Sequence, residues 1–171
     1  MNMKIALATF LSAVSLNAHS MQFSSALGVT GQGGATARIA LGLEWDKSWL
    51  ESQVGHATGY WDVGYTYWQA GEEAGGRHAF SFAPVFVYEF EGGYLKPFVE
   101  AGVGVSVFSG TTAGDQKFGS AFNFEDRLGA GVKFGKTDKI GIRAIHYSNA
   151  SIKEPNDGIE SYSLFYSHEF E

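Results

Sequence analysis

Three observations in the sequence predict an all-β fold, an eight-stranded antiparallel transmembrane β-barrel of the outer membrane. Apolar residues alternate with small or polar ones, period two, in segment after segment, which is the strand signal. The connections between these segments alternate between tight and long, as periplasmic turns and external loops do in such barrels. The N-terminus reads as an export signal, and no later apolar run approaches the ~18 residues of a spanning helix.

Lys4 precedes an apolar run from Ile5 to Leu16 and then the small-x-small triplet Ala18-His19-Ser20. That is the layout of a secretory signal peptide. Cleavage after Ser20 makes residues 1–20 the signal peptide and residues 21–171 the barrel domain. Cleavage after Ala18 is the alternative, disfavoured by Leu16 two positions before it.

Eight strands are expected, at 22–31, 35–46, 50–69, 77–91, 94–109, 119–135, 139–149 and 159–170. In the second, Ala37, Ile39, Leu41, Leu43 and Trp45 share one face, and Arg38, Ala40, Gly42 and Glu44 the other. In the third, Trp61, Val63, Tyr65 and Tyr67 alternate with Asp62, Gly64 and Thr66. The fourth sets Phe80, Phe82, Pro84, Phe86, Tyr88 and Phe90 against Ala79, Ser81, Ala83, Val85, Val87 and Glu89. The fifth alternates Val99, Ala101, Val103, Val105 and Val107 with Glu100, Gly102, Gly104 and Ser106. The sixth alternates Leu128, Ala130, Val132 and Phe134 with Arg127, Gly129, Gly131 and Lys133. The last strand carries Tyr162, Leu164, Tyr166, His168 and Phe170 on one face, which resembles the terminal signal by which outer-membrane barrels are recognised for assembly. Asp46-Lys47-Ser48, Glu91-Gly92-Gly93 and Gly135 to Asp138 are the tight connections, whereas Gly71–Arg77, Gly110–Ser120 and Ala150–Gly158 are the long ones.

One face therefore gathers Arg38, Glu44, Asp62, Glu89, Glu100, Arg127, Lys133 and Arg143 with many of the 23 glycines, while the other is almost wholly aliphatic or aromatic. Charges of both signs among small residues are expected to pair inside a narrow barrel, where each alone would be desolvated without compensation. Eight strands leave a lumen that side chains fill, so no pore is expected. Trp45, Trp61, Tyr67, Phe80, Tyr88, Phe90 and Phe134 lie near strand ends, as in interface girdles. A soluble, lipocalin-like barrel with the apolar face inward is the competing architecture. A net charge of −6 provides no global basic field for nucleic acid, and the absence of cysteine excludes disulfides and thiolate chemistry.

The seventh strand places Ile140, Ile142, Ala144, His146 and Ser148 on the outward face and Gly141, Arg143, Ile145 and Tyr147 on the other. In the eighth strand Glu160 shares the outward face with Tyr162 and Leu164. A base, a hydroxyl nucleophile and an orienting carboxylate are the parts of a serine hydrolase. Residues two apart on one strand face lie ~6.6–6.8 Å apart. If His146 lies opposite Glu160, their Cβ atoms come within ~5 Å. With the first strand starting in the periplasm, all three sit at the extracellular end, level with the outer leaflet and its lipopolysaccharide. Ionisable groups facing lipid are costly, least so near the interface, and their cost argues for a use. Taken singly, His146 reads as a girdle histidine, Ser148 as a neutral strand residue, and Asn156-Asp157-Gly158 as a turn. Asp126 faces outward on the sixth strand and reads as an interface residue. His56, His78 and His168 lack a matching serine and carboxylate.

The run Arg-Ala-Ile-His146-Tyr-Ser148-Asn149-Ala, followed by Pro155-Asn156-Asp-Gly158-Ile-Glu160, resembles the outer-membrane lipid A 3-O-deacylases, the PagL family. Residues 60–68, 82–90 and 123–127 are similar to the same family, and the resemblance covers essentially all of the mature chain. It implies hydrolysis of the ester-linked 3-hydroxyacyl chain at position 3 of lipid A, with Ser148 as nucleophile, His146 as general base and then acid, and Glu160 as the orienting carboxylate. Asn149 and Asn156 match the motif as candidates for oxyanion stabilisation or loop ordering, and backbone N–H groups near Ala150 or Gly158 are the other candidates. No cofactor or metal is implied. Lipopolysaccharide in the outer membrane is the expected partner, and a homodimer is an assembly the barrel exterior leaves open. The rival functions are a non-enzymatic small barrel, serving adhesion or envelope stability, and another lipid enzyme, a phospholipase or an acyltransferase.

Overall fold

The computed structural model describes residues 18–170, and these contain a closed barrel of eight antiparallel strands. The barrel strands are β1 (Ala18–Val29), β2 (Ala35–Trp45), β3 (Gly55–Trp68), β4 (Arg77–Phe90), β5 (Leu95–Phe108), β8 (Phe122–Phe134), β9 (Asp138–Ser148) and β10 (Ile159–Phe170). Two short strands, β6 (Thr112–Ala113) and β7 (Gln116–Lys117), form a separate hairpin inside the β5–β8 connection. Successive barrel strands pair, and β1 closes the ring on β10 through nine consecutive partners from Met21↔Phe170 to Val29↔Tyr162. Most of the expected signal peptide lies outside the described residues, and residues 18–20 extend β1.

The third strand is shorter than the alternation suggested. It begins at Gly55, not at residue 50, so the β2–β3 connection is longer than the tight turn expected at Asp46-Lys47-Ser48. Trp49 pairs back on Ala57 through two hydrogen bonds of 2.8 and 2.7 Å, Leu50 takes a φ of +54°, and Ser52 N–H donates to Gly55 O at 3.0 Å. These local bonds use backbone groups that a strand would need. The first strand likewise ends at Val29, because Thr30 and Gly34 close a tight turn through Thr30 N–H donating to Gly34 O at 2.7 Å. The sixth barrel strand starts at Phe122 and not at 119, where Gly119 has a φ of +67°.

Strand parity divides the chain as expected. Leu27, Ile39, Phe80, Phe86, Val103, Leu128, Ile142 and Leu164 are exposed on the outside. An apolar exterior of this extent calls for lipid rather than water. Inside, Arg38, Asp62, Glu100, Glu125, Arg127 and Arg143 are all buried. Asp62 is the hub. It pairs with Arg38, and it accepts a hydrogen bond from Arg127 Nη2 at 2.6 Å. Arg127 also donates to Glu125 at 2.5 Å. Nearer the other end, Arg143 Nε donates to Glu100 at 2.6 Å and Tyr60 OH donates to the same carboxylate at 2.9 Å. Lys139 pairs with Glu44, and Lys133 with Glu169, each at 3.4 Å.

The lumen is filled, as expected for eight strands. The void beside Tyr60, Glu100 and Arg143 offers only about 10 Å³. At the loop end a cluster of Trp68, Phe108, Phe118, Tyr147 and Ile159 closes the interior. Phe118, which directly follows β7, is fully buried there.

Asp62→Ala removes the carboxylate shared by two buried guanidinium groups. Breaking a buried pair in this way costs about 3–5 kcal/mol. The urea unfolding midpoint of the barrel refolded in lipid vesicles is expected to fall accordingly, and a change under ~1 kcal/mol, the worth of an exposed ion pair, would show the lumen charges to be uncoupled from stability.

Candidate active site

The last inward residue of β9 is Tyr147, and it is held from three sides. Its hydroxyl donates to Glu125 Oε2 at 2.9 Å, and its ring meets Trp68 edge-on at 5.5 Å and Phe108 at 5.3 Å. Side chains alternate along a strand, so an inward Tyr147 turns His146 and Ser148 outward. Both are partly exposed, on the lipid-facing side expected for them.

The β9–β10 register pairs His146 with Glu160. Their side chains meet across the strands, with His146 Nδ1 at 2.8 Å from Glu160 Oε1. An ionised carboxylate only accepts hydrogen bonds, so Nδ1 donates and Nε2 is left as the acceptor nitrogen of the neutral ring. The pair keeps 41% and 33% side-chain exposure, half in the surface and half out of it.

Ser148 shares the face of His146 and stands opposite Phe124 of β8. Among the described residues it makes no hydrogen bond to His146. The structure therefore forms the His–Glu half of the expected trio and leaves the Ser–His half open. Side-chain rotation would have to bridge the ~6.6–6.8 Å between alternate residues of a strand. Asp126 lies across from His146 on β8 and is exposed, with no hydrogen bond to His146 or Ser148.

Beyond Ser148 the chain turns at once. Ala150 and Ser151 have φ values of +53° and +58°, and Ile152 N–H donates to Asn149 O at 3.1 Å. Two left-handed residues inside such a bond make the pattern of a type I′ turn. Asn149 is buried and organises the loop. Its Nδ2 donates to Phe118 O and, at 2.7 Å, to Lys153 O, while its Oδ1 accepts from Lys153 N–H at 3.2 Å. Its own N–H donates to Asn156 Oδ1 at 2.8 Å. The Asn149 amide is thus used up in holding the loop. Asn156 spends its oxygen on Asn149, which leaves its Nδ2 as a donor without a partner among the described residues.

A surface groove of about 600 Å³ runs from His146 and Glu160 past Ala144 and Leu128 to Val103 and Phe86. Its walls come from β4, β5, β8, β9 and β10, with Phe86, Val103, Leu128, Ala144 and Tyr162 as apolar side chains and Asp126 among the polar ones. Among the described residues, no three His, Cys, Asp or Glu side chains stand close enough to share a metal ion.

Two of the histidines expected to lack a carboxylate have one. His56 Nε2 lies 3.9 Å from Glu89 Oε2. His168 Nδ1 lies 2.9 Å from Asp138 Oδ1 at the opposite end of β9 and β10, where Tyr166 OH donates to the same oxygen. Only the serine is missing there, since Ser167 faces inward and is buried. The β6–β7 hairpin escaped the sequence reading altogether. Its signal was present: Gly114-Asp115 is a two-residue turn between paired Ala113 and Gln116, with Gly114 at φ +53°.

Comparisons with known proteins agree with this architecture. The lipid A deacylase PagL of Pseudomonas aeruginosa is 61% identical over 150 residues, covering 88% of this chain and 87% of that protein. The lipid A deacylase PagL of Bordetella bronchiseptica is 34% identical over 137 residues, covering 78% and 76%. The crystal structure of the outer membrane enzyme PagL superimposes with a TM-score of 0.85 at 61% identity, covering 86% of this chain and 98% of that one. Neisserial surface protein A shares the fold alone, at a TM-score of 0.52 and 14% identity. The model of the family described as lipid A 3-O-deacylase (PagL) matches residues 19–169, and the chain belongs to that family.

Proposed function

We propose that His146, Ser148 and Glu160 carry out the lipid A 3-O-deacylation to which family membership assigns this outer-membrane barrel. The observation that carries the residue assignment is the His146–Glu160 contact of 2.8 Å on the lipid-facing surface, with a serine on the same strand face. Glu160 holds the Nδ1 proton and stabilises the imidazolium that forms, and Nε2 takes the proton of Ser148 Oγ. Oγ attacks the carbonyl carbon of the 3-hydroxyacyl ester. The bond from that carbon to the sugar oxygen at position 3 then breaks, and His146 returns the proton to the leaving oxygen. Water, deprotonated by the same Nε2, hydrolyses the acyl-serine and releases a 3-hydroxy fatty acid. The lyso-lipid A stays in the leaflet.

The tetrahedral oxyanion needs preorganised donors. Asn156 Nδ2 is the side-chain donor that the loop leaves free. Asn149 is a loop-ordering residue in this reading, because each polar atom of its amide and its N–H already has a partner. A backbone donor would come from Ala150, whose N–H follows next in the turn. The groove past Ala144 and Leu128 is the apolar surface that the acyl chain would follow.

Lipid A mass spectrometry before and after expression tests the reaction. Loss of one 3-hydroxyacyl chain is the expected result. Unchanged lipid A would point to a structural barrel, and a gained chain to acyl transfer. Ser148→Ala and His146→Ala are each expected to lower kcat by several orders of magnitude while the barrel still folds, judged by its heat-dependent shift on gels. Glu160→Ala should retain more activity, since losing the orienting acid costs less than losing the nucleophile. Asn156→Ala should lower kcat about 10²–10³-fold. Asn149→Ala should instead expose the loop to protease, so a protease-resistant Asn149→Ala barrel would overturn its loop role.

A further inference from the structure

The segment between Ser148 and Glu160 makes a contact with the imidazole that the trio itself does not explain. Gly158 is buried, has a φ of +69°, and lies against His146. A Cβ on Gly158 would fall 2.7 Å from His146 Cε1 and 3.4 Å from Nε2, the nitrogen left for Ser148. The first distance is closer than a real Cβ tolerates. With the ring seated on Glu160, only glycine fits beside it, and only glycine adopts this φ without strain.

Gly158 is held from the preceding residue. Asp157 N–H donates to Lys117 O at 3.0 Å, and Lys117 N–H donates to Asp157 Oδ2 at 3.1 Å. Both bonds run to β7. The same short strand leads into Phe118, whose carbonyl accepts from Asn149, and Gly119, which packs against the carbonyls of Glu154 and Pro155. β7 and the two residues after it thus touch the 149–158 segment at three places: at Asn149 directly behind the proposed nucleophile, at Glu154 and Pro155, and at Asp157 beside the glycine that faces the base.

We propose that Asp157 and Gly158 are positioning residues for His146. The hairpin fixes Asp157, Asp157 sets the backbone of Gly158, and the bare face of Gly158 confines the edge of the imidazole. The ring then keeps Nδ1 on Glu160 and Nε2 toward Ser148. The assignment rests on His146 acting as the base.

The test uses Gly158→Ala, Asp157→Ala and Asp157→Asn in the full chain, assayed on lipid A and by nitrogen-15 imidazole NMR, with the His146 signals identified by their loss in His146→Ala. Gly158→Ala is expected to lower kcat about 10²-fold with KM little changed, as a 1 Å misplacement of a reacting group does. Its His146 imidazole signals should shift. Asp157→Ala keeps the glycine and should lower kcat about tenfold, a loss of order 1.4 kcal/mol, with a smaller shift of the same signals. Asp157→Asn keeps an acceptor oxygen for Lys117 N–H and should recover most of that loss. A Gly158→Ala or Asp157→Ala barrel with wild-type kcat and unmoved imidazole signals overturns the proposal. The NMR readout does not depend on turnover. An active Ser148→Ala protein would therefore sink the catalytic reading, while the imidazole shift would still decide the contact.

Discussion

A charge inside this barrel has nowhere to go but to another charge. Asp62 on β3 faces Arg38 from β2 and Arg127 from β8, and Arg127 in turn holds Glu125. Each of these groups alone would carry a desolvation cost of several kcal/mol. Together they compensate one another across the lumen and tie strands that are not neighbours in the sheet. Because side chains alternate, fixing the charged residues inward fixes every second residue outward. The apolar coat follows from the ion pairs within.

The same rule places the proposed site. On β9, Arg143 reaches Glu100 and Tyr147 reaches Glu125, so Ala144, His146 and Ser148 must face out. One strand therefore serves the interior network with its odd-numbered residues and the proposed site with its even-numbered ones. The dyad of His146 and Glu160 stands on paired strands, where register sets the distance. Ser148 is the last residue of its strand, and its surroundings depend on the loop that Asn149 organises.

Parity makes much of this legible in the sequence alone. Eight alternating segments gave the barrel and the direction of each side chain, and the facing of His146 on Glu160 required only that the last hairpin be in register. The limits of legibility have physical causes. Residues 50–54 alternate well enough to read as strand, yet local bonds at Trp49 and Ser52 claim their backbone groups. Lys117 and Asp157 lie far apart in sequence, and no period links them. The fate of the Asn149 amide depends on carbonyls at Phe118 and Lys153, which every residue possesses and no residue type announces. The pattern could place Asn149 beside the serine, but could not say whether its amide was free.

An outward-facing site of the kind proposed has a consequence for how such an enzyme meets its substrate. The reaction space is a sheet one lipid deep. What governs encounter is the mole fraction of lipid A among its neighbours and the rate at which lipids exchange places in the plane. Bulk concentration in the surrounding water drops out. Diluting the leaflet with another lipid slows the enzyme even when the total lipid A in the tube is constant, and crowding the leaflet with lipid A saturates it.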